Sequence, residues 1–416
     1  MRFLLVPTTY MIPKYVLPAV VVLLASCGPN AERLAPPIGA FVPDNAPMPL
    51  TRAPRGRSIW SVVSSPNEPP NSAGVYDDVL YSVSGTSDDN VWAVGNVCCS
   101  AALIEHWTGT AWSILPAASN APQDTTLRGV AALSPTDAWA VGGARYPENQ
   151  PVFEHWHGSK WKAVASPYIA NGGTMYSVVG LAKNNVWAAG VGNFAAVLEH
   201  WDGRAWSFVP AYDQGVTVLN SIAASGPNDI WAVGEFLDPN VGVFTEHYDG
   251  TQWSYEQPAN NFYYSEFNGV AVLSPTNAWT VGLEMPNQQS QVPQTLIEHW
   301  DGYKWSVVRS PNRNPKSYHL NNSLYSVAAK SPNDIWAVGF WTTPNAGPIQ
   351  ALFLHWDGEA WRFAKGPPPL ESEQSNFYSF LNGVTRLPSG TLWSVGDESL
   401  PSTCCEETLT VEAVSK

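Results

Sequence analysis

The sequence predicts an all-β fold, a seven-bladed β-propeller of four-stranded antiparallel blades. Three observations predict it. One unit of about fifty residues recurs seven times between residues 57 and 416. Each unit holds four runs rich in β-branched and aromatic residues, bounded by Gly, Pro, Asn or Asp, the pattern of strands joined by turns. The last unit is one run short, and the run it lacks, RSIWSVV, stands ahead of the first unit with no repeat in front of it. Residues 57–64 are therefore expected to be the fourth strand of the seventh blade, closing the ring without an open seam.

The first segment of the unit reads LYSVSGT, LRGVAAL, MYSVVGL, LNSIAAS, FNGVAVL, LYSVAAK and LNGVTRL. One place in it is always small: Ser82, Gly129, Ser177, Ser221, Gly269, Ser326 and Gly383. That suits the innermost strand, where blades crowd toward the axis. A turn such as SPTD or SPND follows, in which Pro sets φ and the Ser and Asp side chains bond the turn's own backbone. The second segment is VWAVG or a variant. It is nearly all apolar because neighbouring blades cover both of its faces. The third segment ends in EHW or a variant, and D-G leads into the fourth, Gly supplying the positive φ of a tight hairpin. Trp201 and Trp206 flank that turn and are expected to pack across it.

The VWAVG…EHWDG…W unit resembles Kelch repeats, which place Gly after the second strand, an aromatic on the third and Trp on the fourth. It keeps a double Gly only at Gly142-Gly143, and Trp stands where those repeats have Tyr. The D-G-x-x-W turn is similar to the Asp-box of sialidase-type propellers at the same hairpin. There the Asp lies two residues before the Gly, whereas Asp202 directly precedes Gly203. These resemblances imply a propeller and no particular activity, since propellers host many.

Residues 1–26 carry only two charges, Arg2 and Lys14, around an apolar core, YVLPAVVVLLAS, of signal-peptide length. They run into LASC, which resembles the bacterial lipobox. That resemblance implies that Cys27 becomes the lipid-bearing first residue of the mature chain; an ordinary signal peptide or a single membrane span is the alternative. Met11 is a second candidate start. Residues 27–55 read as a Pro-rich tether that spans roughly 80 Å if extended. The expected location is outside the cytoplasm, held to a bacterial membrane by lipid alone.

The charge balance is acidic, 21 Lys and Arg against 35 Asp and Glu. No run of clustered Lys or Arg offers a phosphate-binding surface, so nucleic acid is excluded as an expected partner. Six of the eight His fall at one repeat position: His106, His155, His200, His247, His299 and His355. They are expected to be structural ties to a neighbouring turn; His157 and His319 lie off the pattern. Glu105, Glu154, Glu199, Glu246 and Glu298 also repeat by blade, so they single out no unlike carboxylate pair of the kind glycoside hydrolysis uses. No His, Cys and Asp grouping has metal-ligand spacing. No catalytic residue, metal or cofactor is assigned. Cys98-Cys99 and Cys404-Cys405 follow the second strands of blades 1 and 7, neighbours in a closed ring. In an exported protein this points to disulfides across the closure, with vicinal bonds or free thiols as alternatives.

Length varies in the second-to-third loops and the blade-to-blade connections, which share one face of a propeller. Loops that vary on a fixed scaffold carry recognition. The longest, LEMPNQQSQVPQT and FWTTPNAGPIQA, and the connections around them give a candidate ligand patch: Tyr263, Tyr264, Gln288, Gln289, Tyr318, His319, Trp341, Phe377 and Tyr378. The alternative is that these rings pin long loops to the scaffold. Trp341 is the one Trp of twenty placed off the strands. Two function classes follow. The first is a monomeric, non-catalytic binding or scaffold module for a protein or carbohydrate ligand. The second is an extracytoplasmic carbohydrate-active enzyme, a glycosidase or lyase, using Glu284, Glu371 or Glu373. The absence of a non-repeating catalytic constellation favours the first.

Overall fold

In the computed structural model the described residues are 59–68, 78–97, 101–145, 149–193, 195–212, 215–238, 242–259, 264–285, 292–313, 321–342, 348–367, 378–399 and 406–414. Cys27, the leader and the tether lie outside them, as do Cys98, Cys99, Cys404 and Cys405.

The strands form seven four-stranded antiparallel sheets. Blade 1 is β2 (Asp78–Ser87), β3 (Asn90–Val97), β4 (Ala101–Trp107) and β5 (Trp112–Ile114). Blade 2 is β6 (Thr125–Ser134), β7 (Asp137–Ala144), β8 (Gln150–Trp156) and β9 (Trp161–Val164), and blade 3 is β10 (Gly173–Ala182), β11 (Asn185–Gly192), β12 (Ala195–Trp201) and β13 (Trp206–Val209). Blade 4 is β14 (Val216–Gly226), β15 (Asp229–Asp238), β16 (Gly242–Tyr248) and β17 (Trp253–Tyr255), and blade 5 is β18 (Tyr264–Ser274), β19 (Asn277–Met285), β20 (Gln294–Trp300) and β21 (Trp305–Val307). Blade 6 is β22 (Asn322–Ser331), β23 (Asp334–Thr342), β24 (Ile349–Trp356) and β25 (Trp361–Phe363). Blade 7 takes β26 (Tyr378–Arg386), β27 (Leu392–Ser399) and β28 (Glu406–Ala413) from one end of the chain and β1 (Trp60–Val63) from the other. Successive first strands touch all the way round, β26 meeting β2. They form the inner wall, and the short fourth strands form the rim.

The closure is a regular ladder, with Trp60 opposite Ala413 and Val63 opposite Thr410. Trp60 fills the place that a hairpin Trp fills in other blades, 5.6 Å from Trp336 and 5.0 Å from Phe353. The chain after β1 is held as well: the Thr408 N–H donates to Asn67 Oδ1 at 2.8 Å.

Tryptophan welds the seams. The second-strand Trp of one blade sits between the two hairpin rings of the next, as Trp139 does 4.9 Å from Trp201 and 5.1 Å from Trp206. Trp201 and Trp206 are register partners, so the expected packing across the D-G turn is present. The Gly of that turn has φ near +95° at Gly203 and Gly358, a conformation only Gly adopts cheaply. The small residues of the first strand are contacts too. A Cβ on Gly129 or Gly269 would lie 3.0 Å from the Cα of Ser177 or Ser326 in the next blade. Where Ser stands instead, its Oγ accepts the next blade's backbone N–H, as Ser221 does from Val270 at 3.3 Å.

Candidate functional site

The chemistry that repeats by blade is occupied with structure. Each of the six His packs on its own blade's second-strand Trp, four of them stacked and His200 and His299 tilted, with centroids 4.0 Å apart for Trp92 and His106 and for Trp139 and His155. Its Nε2 bonds the Asn or Asp that follows the first-to-second turn, at 2.7–3.3 Å. The expected tie to a turn is found, and the turn belongs to the same blade. His157, off the pattern, lies edge-on to His155 at 4.1 Å.

The repeated Glu side chains are fully buried. Four of them accept a hydrogen bond from the connection entering their blade: Glu105 from Ser65 Oγ at 2.5 Å, and Glu154, Glu246 and Glu298 from the N–H groups of Ala118, Tyr212 and Ala259 at 2.7–2.9 Å. Burial pushes the carboxyls of Glu105 and Glu246 up to about 8 and that of Glu154 to about 7. Neither oxygen of Glu199 has a partner, and burial alone raises it to about 8. There the connection bonds Gln150 instead, through the N–H and carbonyl of Ile169.

One repeat position, filled by Tyr, Asn or Arg, is singled out by the backbone. Every first strand has a β-bulge immediately after its large apolar residue. The bulged residues are Tyr81, Arg128, Tyr176, Asn220, Asn268, Tyr325 and Asn382. A bulge adds an unpaired residue and re-aims its side chain. The Gly of VWAVG makes room for it: a Cβ would lie 1.7 Å from the Val79 carbonyl oxygen at Gly95 and 1.9 Å from the Glu266 oxygen at Gly282.

The seven side chains sit on the inner wall, all half-buried, and form a belt around the axis. Arg128 lies 4.1 Å over the ring of Tyr81 in the preceding blade. Asn220, Asn268 and Asn382 each donate to a carbonyl of the following blade, those of Phe267, Leu324 and Leu80, at 3.0–3.1 Å. Each of these amides therefore uses its Nδ2 to hold the ring.

Acidic groups adjoin the belt on one arc. Glu266 accepts from Tyr264 Oη at 3.1 Å and from Asn268 Nδ2 at 3.2 Å. Burial raises its carboxyl, and these two bonds pull the other way. Burial and then the charge of Glu266 push Glu235 up to about 8. Burial and these carboxylates raise the Tyr264 phenol, as burial, Glu266 and Asp397 raise that of Tyr325. Burial also raises Tyr176, while Arg128 lowers it. Asn382 Nδ2 reaches Asp397 at 3.2 Å. Among the described residues no three His, Cys, Asp or Glu are placed to hold a metal ion.

Of the patch expected from sequence, Tyr264 adjoins this belt through its bond to Glu266. Tyr378 opens β26, half-buried opposite Ser399. Trp341 does not present a ring to solvent. It is 2% exposed, because β23 runs past its VWAVG-type core to Thr342 and carries Trp341 into the seam core, with Arg313 5.4 Å from its ring. Tyr263, Gln288, Gln289, Tyr318, His319 and Phe377 lie outside the described residues, as do Glu371 and Glu373. Glu284 is on β19 opposite Ser265. The belt residues were not singled out from sequence, although they are the second letters of LYSV, LRGV, MYSV and LNSI. A cavity of about 320 Å³ at the rim, between Val63–Pro66 and the Trp107–Trp112 hairpin, is lined by no titratable side chain.

No family model and no curated protein matches the sequence. Solved structures match the fold. The chain is similar to one described as YCF48 bound to D1 peptide, with 14% identity, a TM-score of 0.56, and coverage of 88% of this chain and 99% of that one. It is similar to YCF48 from Cyanidioschyzon merolae, with 14% identity, a TM-score of 0.52, and coverage of 85% and 98%. It is also similar to the WD40 repeats of RRP9, with 8% identity, a TM-score of 0.53, and coverage of 84% and 100%.

Proposed function

We propose that this propeller is a non-catalytic binding module that takes a peptide or glycan at the mouth of its axial channel, on the face of the variable loops. One observation carries the reading: the seven bulges set three Tyr, three Asn and one Arg side chain on the inner wall around the axis, while the repeated His, Glu and Trp are spent on structure within and between blades. Half-buried Tyr rings beside amides and carboxylates suit either ligand, since rings stack on sugars or anchor side chains and amides add directional bonds. Peptide binding by the structure titled YCF48 bound to D1 peptide is consistent with this use of the architecture. We further propose that the module works outside the cytoplasm, tethered through lipid on Cys27, a reading supported by the LASC motif alone.

The test is a binding screen of the chain lacking residues 1–27 against glycans and envelope proteins, repeated with Tyr81→Ala and Asn220→Ala. Loss of the captured ligand with an unchanged unfolding midpoint supports the reading. Undiminished binding by both variants overturns the belt as the site. Turnover of a glycoside, abolished by Glu284→Gln, establishes the enzyme reading instead.

A further inference from the structure

We propose that the seam between blades 4 and 5 is a proton-held latch beside the axial site: Glu235 and Glu266 face each other across it, keep it shut while they share a proton, and part it when both are ionised. The consequence for ligand rests on the belt being the binding site; the latch itself does not.

The geometry comes from comparing seams at one level. At two seams the residue after the second-strand Gly of one blade is seen against the residue two before the bulge of the next, and the repeat gives Glu235 and Glu266 the same two positions. Between blades 2 and 3 these are Gly143 and Thr174, and a Cβ on Gly143 would lie 2.5 Å from Thr174 Oγ1. Between blades 6 and 7 they are Phe340 and Phe380, with rings 5.2 Å apart. Between blades 4 and 5 they are Glu235 and Glu266. At no other seam are both positions ionisable.

Two carboxylates so placed cannot both ionise without a large penalty. The charges of the pair reach three neutral phenols and raise them: Glu235 and Glu266 act on Tyr264 of β18, Glu235 on Tyr176 of β10 and Glu266 on Tyr325 of β22. The cation Arg128 acts on Tyr176, and no cation acts on the pair itself. Both carboxyls are raised by burial, Glu235 to about 8 with the charge of Glu266 adding to it, so Glu235 keeps its proton at neutral pH and loses it as pH rises through that value. Repulsion then acts across the seam at the foot of Tyr264, whose hydroxyl is tied to Glu266. Opening there widens the belt on its variable-loop side.

Hydrogen–deuterium exchange of the ligand-free chain tests this, at pH 6.5 and 9.0 with labelling times scaled for intrinsic exchange. Peptides covering residues 233–238 and 264–268 should lose protection by about tenfold at the higher pH. Residues 141–144 and 174–177, at the seam between blades 2 and 3, should lose protection only by the smaller factor that the overall fall in stability gives. Glu235→Gln and Glu266→Gln should each bring the first two peptides down to that factor, and Glu246→Gln should leave their excess loss in place. Equal loss at both seams, or an excess that persists in both of the first two variants, overturns the latch. If the Gln variants do not fold, the comparison of seams in the unmodified chain decides. A latch that responds in a protein whose belt variants still bind ligand separates failure of the site from failure of the latch.

Discussion

Glu199 occupies a position that four blades use as a tie and blade 6 fills with Leu354. It is fully buried with both oxygens unpartnered, so it loses solvation and gains nothing in return. The pH-dependent part of that cost is absent below the carboxyl's ordinary value and grows as pH climbs toward the folded value. Glu199→Leu should therefore raise the urea midpoint at pH 8, with the gain shrinking toward pH 5. A second residue contrast isolates the bulge. Gly396→Ala places a Cβ 2.0 Å from the Phe380 carbonyl oxygen, while Gly226→Ala meets nothing within 4 Å. The first should cost about 3 kcal/mol or more and the second close to nothing, measured by denaturant unfolding. The invariant letter Gly was legible in the sequence, but its reason was not. An extra residue in one strand is visible only against the register of its partner, so Tyr81 and Arg128 read as ordinary strand residues.

At the scale of the element, β1 is a short strand with a large side chain at its start. Trp60→Ala removes the ring between Trp336 and Phe353 and should destabilise the protein by roughly 3–5 kcal/mol. Deleting residues 57–64 should expose the edge of β28 and give an aggregating species by light scattering; a stable monomer would refute the role of β1. Closure was legible because the same Trp-centred run ends every unit, and a missing copy is conspicuous. The ends of the second strands were not. Alternation of polar and apolar residues marks a strand with one wet face, whereas β23 is buried almost throughout. Nothing in Phe340-Trp341-Thr342 marks in sequence that the ladder continues, so Trp341, on β23, looks there like a loop residue.

At the scale of the molecule, the buried acids act together. Glu105, Glu199, Glu235 and Glu246 are raised to about 8 and Glu154 to about 7. Between roughly pH 5 and those values the folded chain holds protons that the unfolded chain has released. Stability should fall as pH rises from 5 to 8.5, the reverse of a protein held by ionised carboxylates; urea midpoints across that range check it. The ring also has a schedule. β1 leaves the ribosome first and β28 last, and Ser61 and Glu412, bonded across the closure, are 351 residues apart. At about 5–20 residues per second the first strand waits on the order of 20–70 s for its partner. During that interval Trp60 has no socket, and any neighbouring nascent chain offers it a rival edge. A circular permutant that places residues 59–68 after Val414, joined by the D-G turn of the other blades, ends the wait by making closure a local hairpin. It should refold with less aggregate than the natural order of strands.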